Sequence, residues 1–308
     1  MTGPAGRLET LVRSGRFVVT SEVVPPRSSD PGAVVAQARD LVGYADAVNV
    51  TDNPTATVHM SPIAGAAVVA RAGLEPTLQI TVRDRNRLAL AADLLGGWAL
   101  GARNLLCLTG DPIGIGDHPQ AAPVHDLEVT DLVGLAEGLR KRGRLPSGGA
   151  VADPPRYFVG VTDSPLAAAY DPARLEAKLD AGAGFVMTQI AFDLGALVAW
   201  ADVLRPRGIF ERAAVIAGVA PARSARHARF LGHHLPGVEV PAALIGALEA
   251  AGDEAEAVGV AACVELVRHV REIDGIAGVH VIGLGRERVV RQVIEGAGLL
   301  PRPAVRTA

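Results

Sequence analysis

The chain has 308 residues, 49% of them hydrophobic, and its 30 Lys and Arg against 33 Asp and Glu leave a net charge of -3. That apolar fraction excludes a disordered chain, and the near-balanced charge offers no cationic footprint for nucleic acid. Two cysteines, Cys107 and Cys263, lie far apart in apolar runs, which excludes a disulfide framework and a CxxC metal site and points to the cytoplasm. Residues 1–17 are amphipathic without a signal core, and no charge-free apolar stretch reaches membrane-span length, so no membrane association is expected.

Apolar runs of strand length recur at 17–24, 46–51, 76–82, 104–109, 157–162, 184–190, 213–219 and 279–284. Their hydrophobicity is continuous rather than alternating, as strands of a parallel sheet covered on both faces require. Helical patterns separate them: 30–45 opens with an Asp-Pro start signal, and 83–100, 131–143, 171–183, 192–208, 224–235 and 287–299 follow. About eight strand-then-helix units imply an α/β protein, a single-domain (β/α)8 TIM barrel over 1–308, with a doubly wound sheet as the alternative. Residues 236–275 read as an extra helical insertion before the last strand, 111–128 as a long functional loop on the catalytic face, and 301–308, PRPAVRTA, as a frayed tail.

A barrel gathers the C-terminal ends of its strands at one mouth. The polar residues there are Glu22, Thr51-Asp52-Asn53, Gln79, Thr81, Thr109, Asp111, Thr162-Asp163, Gln189 and Arg286. Thr and Asp at strand-to-helix junctions commonly cap the next helix, and for Asp52 or Asp163 alone that is the stronger reading. Glu22, in FVVTSEVVPP, and Gln189, in FVMTQIAFD, start no helix, and burying either without partners costs on the order of kilocalories per mole. An apolar setting raises a carboxyl pKa, so Glu22 reads as a general acid; the competing reading is a salt bridge to Arg27 or Arg83. The eight histidines show no metal-ligand spacing, His233-His234 reads as a surface helix end, and no phosphate loop or nucleophile elbow is present; no metal is expected.

The motifs run in the order SEVVPPR, NVTDN, LTGDP, KLDAGAGFVMTQIAFD, AGVAP and GVHVIGL. This order resembles the methylenetetrahydrofolate reductase family over nearly the whole chain. The resemblance implies a (β/α)8 barrel reducing 5,10-methylenetetrahydrofolate to 5-methyltetrahydrofolate with NADH or NADPH, in most members through FAD. It implies Glu22 as proton donor, Asp111 and Gln189 as folate contacts with Thr51 and Gln79 beside them, and Thr109, Thr81, Asp163 and Lys178 around the cofactor.

The sequence departs from the family where the flavin is held. Its third strand reads PTLQIT without the family's histidine, and Thr109 replaces the arginine before Gly-Asp. Residues 161–165 are shorter than the Tyr-Pro-Glu-x-His-Pro-like segment, and Ala177-Lys178 replaces a basic pair, with only Asp171 and Lys178 matching in that helix. Losing several anchors together implies weak or absent FAD and direct hydride transfer to the folate. An FAD-mediated version of the reaction and a folate-dependent methyltransferase are the alternatives; a non-catalytic barrel would not need Glu22. Arg223, Arg226 and Arg286 are candidate partners for a polyglutamate tail, and apolar helix faces such as 194–200 suit barrel packing or a homo-oligomer interface.

Overall fold

The computed structural model describes residues 3–167 and 170–305. Eight strands, β1 (Val18–Val23), β2 (Ala47–Val50), β3 (Pro76–Thr81), β4 (Asn104–Leu108), β5 (Phe158–Asp163), β6 (Phe185–Ile190), β7 (Ala214–Val219) and β8 (Ile276–Val281), pair in parallel in sequential order. β1 also pairs with β8, so the sheet closes. The helices are α1 (Arg7–Arg13), α2 (Pro31–Arg39), α3 (Pro62–Arg71), α4 (Arg87–Ala99), α5 (Val129–Arg142), α6 (Pro172–Asp180), α7 (Leu194–Leu204), α8 (Ile209–Arg212), α9 (Ala225–His234), α10 (Ala242–Ala250), α11 (Ala255–Val270) and α12 (Glu287–Gly296). This is the expected single-domain TIM barrel.

Local chemistry starts the helices. Asp30, Ser61, Asn86, Asp171, Asp193 and Ser224 each accept a backbone N–H at the head of α2, α3, α4, α6, α7 and α9, and Pro31, Pro62 and Pro172 follow their caps with φ already helical. α3 is absent from the predicted helices despite its Ser-Pro start, because PIAGAAVVAR carries almost no polar face from which a helical period could be read. Among the described residues no helix is long and apolar enough to cross a membrane.

Two apolar layers hold the barrel. The outer layer lies between the sheet and the helices. The inner one joins Leu8 and Leu11 of α1 to Val18, Ala47, Leu106, Phe158, Phe185, Met187 and Ile216, so α1 stoppers the N-terminal end and the strand interior is solid up to the mouth.

Three expectations need correction. The last strand runs Ile276–Val281 rather than 279–284. It includes Gly278, where a Cβ would come within 2.4 Å of the Val18 carbonyl oxygen, and that obligatory glycine breaks the apolar run. Residues 236–275 are not wholly an insertion: α11 packs on β7, β8 and α12 as the outer-ring helix of its unit, and the added pieces are α9 and α10. The tail is anchored through residue 305, since Arg302 pairs with the buried carboxylate of Asp46 and donates to the Phe17 carbonyl oxygen at 2.8 Å; residues 306–308 lie outside the described residues.

Candidate active site

At the C-terminal end of the strands a cavity of about 330 Å³ opens. Glu22, Asp52, Gln79, Thr81, Thr109, Asp111, Thr162, Asp163 and Gln189 all line it, so nine of the sequence-predicted residues meet at one place. Thr51 and Lys178 do not. The Thr51 hydroxyl is buried and has no hydrogen-bond partner. The Lys178 ammonium donates to the Thr162 carbonyl oxygen at 2.6 Å, and burial lowers its pKa.

Glu22 sits one residue before the end of β1, beside the prolines that stop the strand, with its side chain 16% exposed. Neither predicted arginine meets it. Arg27 pairs with Asp117 at 2.8 Å and Arg83 with Asp84 at 2.7 Å. Its partner is His280 of β8, 4% exposed, whose Nε2 lies 3.7 Å from Glu22 Oε2. The Thr20 hydroxyl lies 2.9 Å from His280 Nδ1.

Asp111 follows Gly110, whose φ of +90° is a left-handed turn that a side chain would strain. That turn sends the chain away from β4 and sets the Asp111 carboxylate at the mouth, where Oδ2 accepts the Thr55 N–H at 2.6 Å. The buried guanidinium of Arg83 donates to the Asp111 carbonyl oxygen at 2.9 Å from behind. The long loop thus reaches the mouth as expected, and Asp117, further along it, accepts the Val58 N–H.

Asp52 and Asp163 are not caps. Asp52 is buried and accepts the Thr81 N–H at 2.8 Å, the Thr81 hydroxyl at 3.0 Å and both ends of the Arg85 fork at 2.7 and 3.1 Å. So paired, this carboxylate ties the ends of β2 and β3 together. Asp163 Oδ2 accepts the Tyr170 hydroxyl at 2.8 Å and the Trp200 indole N–H at 3.1 Å; burial raises its pKa, and these donors oppose the rise.

Gln189 lies at a bulge where the β6–β7 register slips between Met187 and Ile190. Its Oε1 accepts the Ile190 N–H at 2.9 Å, its Nε2 reaches the Pro236 carbonyl oxygen at 3.3 Å, and the Thr188 hydroxyl accepts the Gly218 N–H at 2.8 Å.

Four polar wall residues were not among those expected at the mouth: His280, Asn49, Ser164 and Thr188. Asn49 donates to Met187 Sδ at 3.2 Å, while its Oδ1 is buried without a partner. The signal was the one that exposed Glu22, a polar residue inside an apolar strand: AVNV for Asn49 and GVHV for His280.

A sequence profile of the family described as methylenetetrahydrofolate reductase matches residues 7–298. The chain belongs to that family. Among relatives, methylenetetrahydrofolate reductase 1 of Schizosaccharomyces pombe is 25% identical over 74% of this chain and 36% of its own length. A Caenorhabditis elegans protein named probable methylenetetrahydrofolate reductase (NADPH) is 25% identical over 95% of this chain and 44% of its own. The chain therefore spans less than half the length of these curated relatives. Among solved structures, an uncharacterized Clostridium thermocellum protein said to bind two copies of 5-methyl-5,6,7,8-tetrahydrofolic acid superposes with a TM-score of 0.63 at 12% identity, covering 96% of this chain and 99% of that one. A Mycobacterium tuberculosis tryptophan synthase chain superposes at 0.51 and 14%, with the same coverage. At those identities the superpositions speak to the fold alone.

Several of the positions at which the family resemblance implies cofactor contacts are engaged within the protein. Of the two matches in α6, Asp171 caps the helix by accepting the Ala173 N–H at 3.0 Å, and Lys178 gives its ammonium to Thr162. Asp163 is turned to Tyr170 and Trp200, and Gln79 and Thr109 line the mouth.

Proposed function

We propose that the chain reduces 5,10-methylenetetrahydrofolate to 5-methyltetrahydrofolate, taking hydride directly from NADH or NADPH. Membership of the reductase family supports the reaction class. The observation that carries the reading is Glu22: a carboxyl held near the end of a strand, its side chain only 16% exposed, facing the mouth beside Asp111, Gln79 and Gln189.

The chemistry uses these residues as follows. A protonated Glu22 gives its proton to the aniline-type nitrogen of the five-membered ring. The bond from that nitrogen to the bridging carbon breaks with its electron pair going to nitrogen, and an iminium forms at that carbon. Hydride from the dihydronicotinamide adds to it, giving the methyl group and the oxidised nucleotide. Asp111 keeps Oδ1 for the donor edge of the pterin while Oδ2 holds Thr55. No step is routed through a flavin.

The test is the visible spectrum of the purified protein, followed by NADH oxidation with methylenetetrahydrofolate and no added FAD. A colourless protein that oxidises NADH only with the folate present is the expected result. Activity that appears only with FAD overturns direct transfer; no folate-dependent oxidation in either condition overturns the reductase reading in favour of methyl transfer.

A further inference from the structure

One buried titratable group on the cavity wall is not used by the chemistry above. His280 stands directly across from Thr20 in the β1–β8 register, and its two ring nitrogens face two different partners. On one side Nδ1 is 2.9 Å from the Thr20 hydroxyl, which also reaches the Val279 carbonyl oxygen at 3.5 Å. The nearer contact, to Nδ1, anchors the ring from that side. On the other side Nε2 looks at Glu22 Oε2 across 3.7 Å, a gap that a small rotation of the carboxyl closes to a hydrogen bond.

We infer that His280 is the positioning residue of the proton donor: Thr20 anchors the ring at Nδ1, and Nε2 shares a single transferable proton with Glu22. The pair holds that proton as a carboxylic acid beside a neutral imidazole or as a carboxylate beside an imidazolium. In either form it passes through the Glu22 carboxyl to the substrate nitrogen, and afterwards the pair is refilled by one proton from water.

The other charged groups around the pair leave it this role. Glu287 at the head of α12 has its pKa raised first by burial and then by the charges of Asp40 and Glu22. Across the cavity Asp52 is tied to Arg85, while Asp111 and Asp163 hold donors of their own. Beyond Glu22, Glu256 is occupied by Arg286 at 2.5 Å.

The inference rests on the proposed reaction for its kinetic test only, and a second test is independent of activity. In His280→Gln, whose amide can hydrogen-bond but not titrate, the alkaline limb of the pH–kcat profile should move about one unit or more to acid, with turnover at neutral pH down about tenfold and the folate KM within about twofold. A uniform loss at every pH, or an unmoved profile, overturns the role. The second test leaves His280 in place: ring NMR titration of the wild type and of Glu22→Gln. The imidazole midpoint should fall when the carboxyl is removed, and equal midpoints overturn the shared proton even if the protein reduces no folate.

Discussion

The Asp111 carboxylate holds the backbone of Thr55, 56 residues away in sequence, through a 2.6 Å hydrogen bond. Thr55 needs holding. It and its neighbours Asn53 and Ala56 have φ of 54°, 44° and 53°, and for a β-branched residue the left-handed region costs about 1–2 kcal/mol. The carboxylate proposed to meet the pterin therefore also tethers a strained strap between β2 and α3. Asp111→Ala should raise the folate KM at least tenfold and also lower stability by about 1 kcal/mol, whereas Thr55→Gly should leave stability unchanged or raise it. Steady-state kinetics with urea unfolding checks both; an Asp111→Ala protein with wild-type KM would place the pterin elsewhere.

Glu22→Gln keeps the shape of the side chain and removes its proton. Turnover should fall by about a hundredfold or more, the usual worth of a general acid, with folate binding by equilibrium titration little changed. Near-normal turnover would remove Glu22 from the reaction.

Arg85→Met leaves the buried carboxylate of Asp52 without its ion pair. A loss of about 3 kcal/mol is expected, and Asp52→Asn added to it should restore more than half, because the stranded charge is gone. Denaturant midpoints measure both. A loss below about 1 kcal/mol would show that Thr81 alone satisfies Asp52.

His227, in the first turn of α9, has its pKa lowered to about 4 by burial and by the nearby charge of Arg223. The unfolded chain takes up this proton below about 6.5, the folded chain only near 4, so stability falls as pH drops through that window. The raised carboxyls of Asp93, Asp163 and Glu287 act with the opposite sign, so the measurement is a difference. The fall in denaturation midpoint from pH 7 to pH 4 should be smaller in His227→Gln than in the wild type, and equal falls would exclude the histidine.

The barrel was legible in the sequence because a strand buried on both faces must be apolar throughout, and eight such runs separated by capped helices admit few topologies. The same rule betrayed Glu22, since a carboxyl within such a run needs a partner or a task. Where it failed, composition masked geometry: α3 has too few polar residues to show a period, and Gly278 hid the true start of β8 because only a glycine fits against Val18.

Partnership was decided by the closed sheet. Nothing local says that Glu22 faces His280 rather than Arg27 or Arg83, because β1 and β8 meet only when the barrel shuts and register then sets Thr20 opposite His280. Asp52 and Asp163 looked like helix caps because the residues that engage them, Arg85 on a later loop and Trp200 on a later helix, arrive from other units of the fold. Residue type, fixed along the chain, tells which groups need partners. Only tertiary structure, by bringing distant segments within 3 to 4 Å, supplies them.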